Sequence, residues 1–144
     1  MKKMKISSKT QYALKTMVDL AGQKSGELST VADIARRRGI PPLYLEQILL
    51  ELKRGGLVKS QRGRQGGYSL ARKGARANLA DIIALTDDSL LVPPEATSFS
   101  DATERAVLNA WRDVNLQFRH ILEQVTLQDL CDEAEPASDS HYSI

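Results

Sequence analysis

Apolar residues recur every three or four positions through the first third of the chain, and this period predicts three helices. The first starts near Ser8, which forms a capping box with Gln11. The second starts at Thr30 and ends at Gly39, since glycine suits the left-handed conformation that follows a helix. The third has Pro42 in its first turn, where the missing N–H costs nothing.

An apolar stripe predicts which face of the third helix is buried. The stripe consists of Leu45, Ile48, Leu49 and Leu52. A turn of about three residues separates this helix from the second one, which is the pattern of a helix-turn-helix. The outer face of the third helix would then be free to contact another molecule.

The period changes to that of strands after Gly55-Gly56. Residues 57–61 and 68–71 are predicted to be short antiparallel partners. The basic run 62–67 between them contains three glycines, which permit the positive φ values of a hairpin turn. A hairpin directly after a helix-turn-helix predicts a winged helix, so the expected fold class is mainly α with a small β-hairpin wing.

A segment rich in proline, serine and threonine, residues 87–100, divides the chain into two parts. Before it, a helix from Asn78 to Leu85 completes a winged-helix DNA-binding domain that we expect to span residues 1–86. The segment itself shows no helical period, so we expect a loop.

The second part, residues 101–131, is predicted to form a long helix to about Gln124 and a short final helix capped by Thr126. The acidic tail 132–144 is expected to be disordered. Apolar residues of the long helix alternate in steps of four and three, the spacing of a coiled-coil seam. The predicted seam is Val107, Trp111, Val114, Phe118, Ile121 and Val125.

Charge is distributed unevenly between the two parts. Residues 1–76 carry 17 Lys and Arg against 5 Asp and Glu, whereas residues 77–144 carry 3 against 13. The same split is also compatible with charged residues that lie on solvent-exposed faces and bind no partner. Combined with the predicted winged helix, however, the basic half indicates a polyanionic partner, and we expect double-stranded DNA.

The predicted DNA contacts divide between the third helix and the hairpin. Gln47 can pair with adenine, and Glu46 can accept a hydrogen bond from cytosine. Arg62 and Arg64 can enter a narrow, A·T-rich minor groove. The full predicted set is Lys9, Tyr12, Leu43, Tyr44, Glu46, Gln47, Arg54, Lys59, Arg62, Gly63, Arg64, Gly66 and Gly67.

Further cations are expected to contact phosphates without reading sequence, namely the N-terminal lysines and the run Arg36-Arg37-Arg38. Such a run is also typical of a solvated helix end, where cations favour the helix dipole. Leu50 also points outward, which fits contact with a thymine methyl group or with another protein.

Several stretches resemble the Rrf-type family of bacterial winged-helix regulators, which includes IscR, NsrR and CymR. They are Tyr12-Ala13-Leu14 with Asp19-Leu20-Ala21, Tyr44-Leu45-Glu46-Gln47, Gly56-Leu57-Val58-Lys59-Ser60 leading to Gly66-Gly67-Tyr68, and Trp111-Arg112-Asp113 with Thr126-Leu127. The resemblance covers residues 6 to about 131. It implies a dimer held by the long helix over a palindromic site, and repression of iron–sulfur, nitrosative-stress or sulfur-metabolism genes.

The chain departs from the best-known members of that family, which hold an iron–sulfur cluster through three cysteines. The resemblance places the last of these cysteines at Arg105, and a histidine ligand of some members at Leu108. Cys131 is the sole cysteine of the chain, and we expect it to be a packed small residue. We therefore expect no cofactor, because a cluster would require ligands other than cysteine.

Other classes of function are less well supported by the sequence. The alternative is a winged-helix protein-interaction module that controls, or is controlled by, a partner protein. No nucleophile–base pair, phosphate-binding loop or metal motif indicates an enzyme. No apolar run approaches the length of a membrane span, so we expect a cytoplasmic protein. A regulatory protein or a small-molecule effector is expected as a further partner.

Overall fold

The computed structural model describes residues 6–87, 91 and 101–135. Within these residues the chain forms helices and one two-stranded antiparallel sheet, which confirms the predicted fold class. No helix of the described part is long and apolar enough to cross a membrane. The elements are α1 (Ser8–Ala21), α2 (Val31–Arg38), α3 (Pro42–Arg54), β1 (Val58–Gln61), β2 (Gly67–Leu70), α4 (Arg72–Ala75), α5 (Leu79–Thr86), α6 (Ala102–Gln124) and α7 (Leu127–Ala134).

Side-chain caps determine where the helices begin. The capping box predicted at Ser8 and Gln11 is wrong by one residue: Ser7 caps α1, because its Oγ accepts a hydrogen bond from the Thr10 N–H at 3.2 Å. The Gln11 amide instead donates to the Ile6 carbonyl. Three other helices begin at complete capping boxes, which are Thr30 with Asp33, Asn78 with Asp81, and Thr126 with Asp129.

Two helical segments differ from the sequence prediction. The short helix α4 has no apolar period; it forms where Gly74 lies directly against the backbone of Leu57, so closely that a Cβ could not fit. The final helix continues to Ala134 instead of ending at Cys131, because α7 packs against α1 and Cys131 contacts the main core. Most of the predicted loop 87–100 lies outside the described residues.

The main core lies between α1, α2, α3, α5 and the hairpin. The predicted stripe of α3 is completely buried, with 0% exposure of each of its four residues. Gly39 ends α2 in the left-handed conformation, with φ of 67°, as predicted. The left-handed turn at Gly39 and the buried stripe of α3 together place α2 and α3 in the arrangement of a helix-turn-helix.

A second, smaller cluster attaches the C-terminal part of α6 to α5. Ile83 and Leu122 are buried there, and Phe118 packs against them. Two backbone hydrogen bonds of 2.8 Å, from Leu79 to Val125 and from Leu127 to Ala77, fix the junction of α6 and α7 beside the start of α5. The long helix is therefore fixed to the winged-helix domain by its C-terminal end.

A buried carboxylate joins α1 to the end of α2. The side chain of Asp19 has no exposed surface. Arg37 donates to it through Nε at 3.1 Å and Nη2 at 2.7 Å, and Arg38 donates through Nε at 2.7 Å. Arg37 Nη2 also donates to Ser29 Oγ at 2.7 Å. The hydrogen bonds to Asp19 raise the pKa of Arg37.

This pairing changes the interpretation of the basic run at the end of α2. The sequence prediction has all three arginines contact phosphate, but Arg37 and Arg38 have their guanidinium groups turned toward Asp19. Arg36, which is exposed like Arg38, is turned toward Asp33 instead, with Nη2 3.5 Å from a carboxylate oxygen.

We expect Asp19→Asn to lower the free energy of unfolding by about 2–3 kcal/mol, because it removes a buried charge that two guanidinium groups share. Urea unfolding followed by circular dichroism, at one fixed protein concentration, measures the change. The control is Glu133→Gln on the exposed side of α7, which should change stability by less than about 0.5 kcal/mol. Equal stabilities of the two variants would contradict the role given to Asp19.

Candidate nucleic-acid interface

The helix α3 has a polar outer face that carries exposed apolar residues. Leu43, in its first turn, has 78% of its surface exposed, and Leu50 lies in the middle of the same face. The backbone here is held by buried leucines on the opposite side, so the outer side chains are presented on a rigid support. The exposed residues of α3 are Pro42, Leu43, Glu46, Gln47, Leu50, Lys53 and Arg54.

Three of the residues predicted to contact DNA also hold α1 against α3. The rings of Tyr12 and Tyr44 pack edge to face, with centroids 5.5 Å apart. Lys9 Nζ lies 2.6 Å from Glu51 Oε1. Lys15 adds a cation over the Tyr12 ring, 5.7 Å from its centroid. Lys9 is therefore paired within its own chain and is not a free cation. The sequence alone gave no sign of this pairing.

The hairpin presents two arginines at its tip. β1 and β2 pair from Val58 with Leu70 to Gln61 with Gly67, which leaves residues 62–66 as the connecting loop. Arg62 and Arg64 are exposed, and neither forms an ion pair or hydrogen bond with the described part of the chain. Lys59 is exposed on β1 next to this loop. The tip of the hairpin thus carries two exposed cations that have no partner among the described residues.

The glycines of the hairpin have different surroundings. Gly63 lies in the exposed loop with φ of 119° and has no atom within 4 Å of the position of a Cβ. Gly66 ends the loop and Gly67 begins β2, and both are half-buried. A Cβ on Gly67, whose φ is 154°, would lie 2.7 Å from the carbonyl oxygen of Ser29. The structure therefore gives Gly67 a packing role besides any contact with DNA.

The hairpin is fixed to the helix-turn-helix at Ser29, just before α2. Tyr68 N–H donates to the Ser29 carbonyl at 2.7 Å, and Ser29 N–H donates to the Tyr68 carbonyl at 2.9 Å. The hydroxyl of Ser29 accepts from Arg37. These contacts set the distance between the wing arginines and the exposed face of α3.

These features define a winged-helix DNA-binding protein. The second helix of the helix-turn-helix has one exposed face, and the hairpin that follows carries two arginines without a partner among the described residues. The chain matches the Rrf2 family, described as Iron-dependent Transcriptional regulator, over residues 6–133. It therefore belongs to the Rrf2 family of transcriptional regulators.

Individual relatives cover most of this chain. A protein of Mycobacterium tuberculosis named as an HTH-type transcriptional regulator is 37% identical over 92% of this chain and 84% of its own length. Among solved structures, CymR, the global cysteine regulator of B. subtilis, has a TM-score of 0.75 and 29% identity, covering 92% of this chain and 100% of that one. IscR of T. potens has a TM-score of 0.73 and 32% identity, covering 96% of each chain. Such relatives are named as regulators and not as enzymes.

The donor residues of this chain do not fit an iron–sulfur cluster in the described part of the structure. No group of three His, Cys, Asp or Glu side chains there is placed to hold a metal ion. Arg105 and Leu108, which lie on α6, cannot ligate iron. Burial raises the pKa of the Cys131 thiol, and the charges of Asp132 and Glu135 raise it further, so the metal-binding thiolate is disfavoured.

We expect Gly67→Ala to destabilise the protein more than Gly63→Ala does. Both substitutions strain a positive φ, which costs about 1–3 kcal/mol. Only Gly67→Ala also forces a Cβ against Ser29 and displaces β2 from its bridge. Urea unfolding gives the two free energies, and amide NMR shifts of Ser29 and Tyr68 report the bridge. Equal destabilisation with an intact bridge would show that the contact with Ser29 does not constrain the backbone at Gly67.

Proposed function

We propose that the protein is a homodimeric transcriptional repressor that binds a palindromic DNA site through α3 and the hairpin. The observation that carries the proposal is the placement of two unpaired arginines, Arg62 and Arg64, on a hairpin fixed beside the exposed face of α3. Repression is proposed because the resemblance to this family implies it. The neighbouring IscR and CymR structures support the family-level part of this proposal.

Base readout is assigned to the outer face of α3. The amide of Gln47 can donate to and accept from one adenine, and the carboxylate of Glu46 can accept from cytosine N4. Leu43, exposed and apolar in the first turn, suits contact with a thymine methyl group. These residues lie within two turns, so they fit a short half-site in one major groove.

The hairpin is assigned to the neighbouring minor groove. Arg62 and Arg64 are free to extend, and Gly63 between them adds no side-chain bulk. Arginine is attracted to a narrow minor groove because the negative potential there is enhanced. Lys59 and Arg54, both exposed, would contact the phosphates on either side.

A second copy of the chain is assigned to the apolar face of α6. Trp111 is 59% exposed, and Val107, Val114 and Ile121 on the same seam are exposed as well. Phe118 differs, because it is half-buried against the α5–α6 cluster of its own chain. Large apolar side chains that are exposed along one face of a helix are typical of an interface, and their coiled-coil spacing fits packing against the same helix of a second copy. Two-fold pairing would place two α3 helices over an inverted repeat.

We propose that this function needs no iron–sulfur cluster, because the described residues lack a suitable set of ligands. DNA binding by protein purified with a metal chelator would support this point. Stoichiometric iron with visible absorption in anaerobically purified protein would oppose it.

We expect Arg62→Ala and Arg64→Ala each to weaken DNA binding by about 1–3 kcal/mol. Fluorescence anisotropy with a duplex selected by the wild-type protein from a random pool measures the affinity. Arg72→Ala is the matched control, since Arg72 is equally exposed but lies on α4 away from the hairpin tip. Unchanged affinity of both hairpin variants would contradict the assigned wing. Failure of the wild type to select any DNA would favour the protein-interaction alternative.

We expect Trp111→Asp to shift the protein from dimer to monomer, because it places a charge in the apolar seam of α6. Sedimentation equilibrium measures the dissociation constant of the dimer. Asn109→Asp adds the same charge to an exposed position of α6 off the seam and should leave the dimer intact. A Trp111→Asp variant that remains dimeric would place the interface elsewhere.

A further inference from the structure

A cavity of about 520 Å³ lies between α1, the end of α2 and α7. Its volume is within the usual range for small-molecule sites. One part of its wall is apolar, formed by Leu14 and Val18 of α1 with Leu130 and Ala134 of α7. The proposed dimer seam contributes none of the lining residues, which are Leu14, Lys15, Val18, Arg37, Arg38, Leu130 and Ala134.

The polar part of the wall formed by the described residues is cationic. Among these residues Lys15, Arg37 and Arg38 line the cavity, and no carboxylate does. Asp19, beneath the two arginines, is the carboxylate that binds them directly. Glu27 and Asp33 act on Arg37 only through longer-range attraction. Of the three cations in the wall, the two arginines share one directly bound carboxylate, and Lys15 does not contact it.

The arginines retain donors that Asp19 does not use. Within the described residues Arg38 donates only through Nε, so both of its terminal nitrogens are available. Its side chain is 44% exposed. Arg37 retains Nη1, because its Nε and Nη2 bind Asp19 and Ser29. Lys15 makes a cation–π contact with Tyr12 and no ion pair with the described residues.

We propose that this cavity binds a small organic anion, a carboxylate or phosphate monoester on an apolar body. The anionic head would accept hydrogen bonds from Arg38 and Lys15, and the apolar body would lie against Val18 and Leu130. Charge-assisted hydrogen bonds of this kind supply both strength and orientation.

The position of the cavity suggests that the anion is an effector. Arg37 and Arg38 close α2, the first helix of the helix-turn-helix, whereas α7 directly follows the long helix α6. A ligand that draws α7 and α2 together would change the position of the DNA-reading elements relative to the dimer helix, which is the requirement for coupling between two sites. The effector role rests on the proposed DNA-binding function, but binding of the anion does not.

The test is a titration of uniformly ¹⁵N-labelled protein with phenyl phosphate and benzoate at constant ionic strength, with benzyl alcohol as the neutral probe. We expect saturable amide shifts confined to the lining residues with at least one of the two anions, and none with the alcohol. Arg38→Gln, which leaves the Arg37–Asp19 pair in place, should weaken binding about tenfold, and Lys15→Gln should weaken it several-fold. Arg72→Gln removes a distant cation and should have no effect.

The proposal is overturned if neither anion gives saturable shifts at these residues, if benzyl alcohol binds equally well, or if both cavity variants bind the anions as tightly as the wild type. The remaining amide signals of each variant show whether it is folded, and Lys15→Gln tests an exposed side chain that the core does not need. Because no DNA is present, a negative result leaves the proposed DNA-binding function unaffected.

Discussion

The buried carboxylate of Asp19 sets the relative positions of the helix-turn-helix and the wing. A carboxylate buried away from solvent is strongly unfavourable unless it is paired and hydrogen-bonded, and here Arg37 and Arg38 donate four hydrogen bonds to it. Arg37 continues the connection to the Ser29 hydroxyl, and the backbone of Ser29 is bridged to Tyr68 of the hairpin. The first helix, the end of α2 and strand β2 of the wing are therefore joined through one set of polar contacts.

This arrangement separates cations that pair within the chain from cations that are available to DNA. Arg37 and Arg38 pair with Asp19, and Lys9 pairs with Glu51. Arg62 and Arg64 are left at the tip of a hairpin whose strand β2 is bridged to Ser29. A cation that pairs within its own chain loses little by staying there, whereas an unpaired exposed cation can exchange counterions for phosphate. In the proposed complex, the basic half of the chain would thus contact DNA through fewer residues than its charge suggests.

Local patterns were enough to predict the helix-turn-helix, the hairpin and the long helix. The stripe of α3 and the capping box at Thr30 depend on residues within one or two turns, so the sequence alone determines them. The pairing of Asp19 with Arg37 joins residues 18 positions apart, and that of Lys9 with Glu51 joins residues 42 apart. Partner choice at such separations depends on tertiary packing.

The sequence carries a weak signal for the pairing of Asp19, but none for the packing of Phe118. Asp19 stands between Met17 and Leu20 on the apolar side of α1, where an acidic residue requires a cationic partner. Phe118 lies on the predicted seam but is packed within its own chain, because the α5–α6 contact competes for the same face. Seam spacing alone does not distinguish these two environments.

Hydroxyl-radical footprinting of the protein on the duplex that it selects is the most direct test of a winged-helix dimer that reads DNA with α3 and the hairpin. We expect two protected half-sites related by two-fold symmetry, each with a protected minor groove beside it where the hairpin enters. A single asymmetric footprint, or symmetric protection without the flanking minor-groove segments, would contradict this expectation.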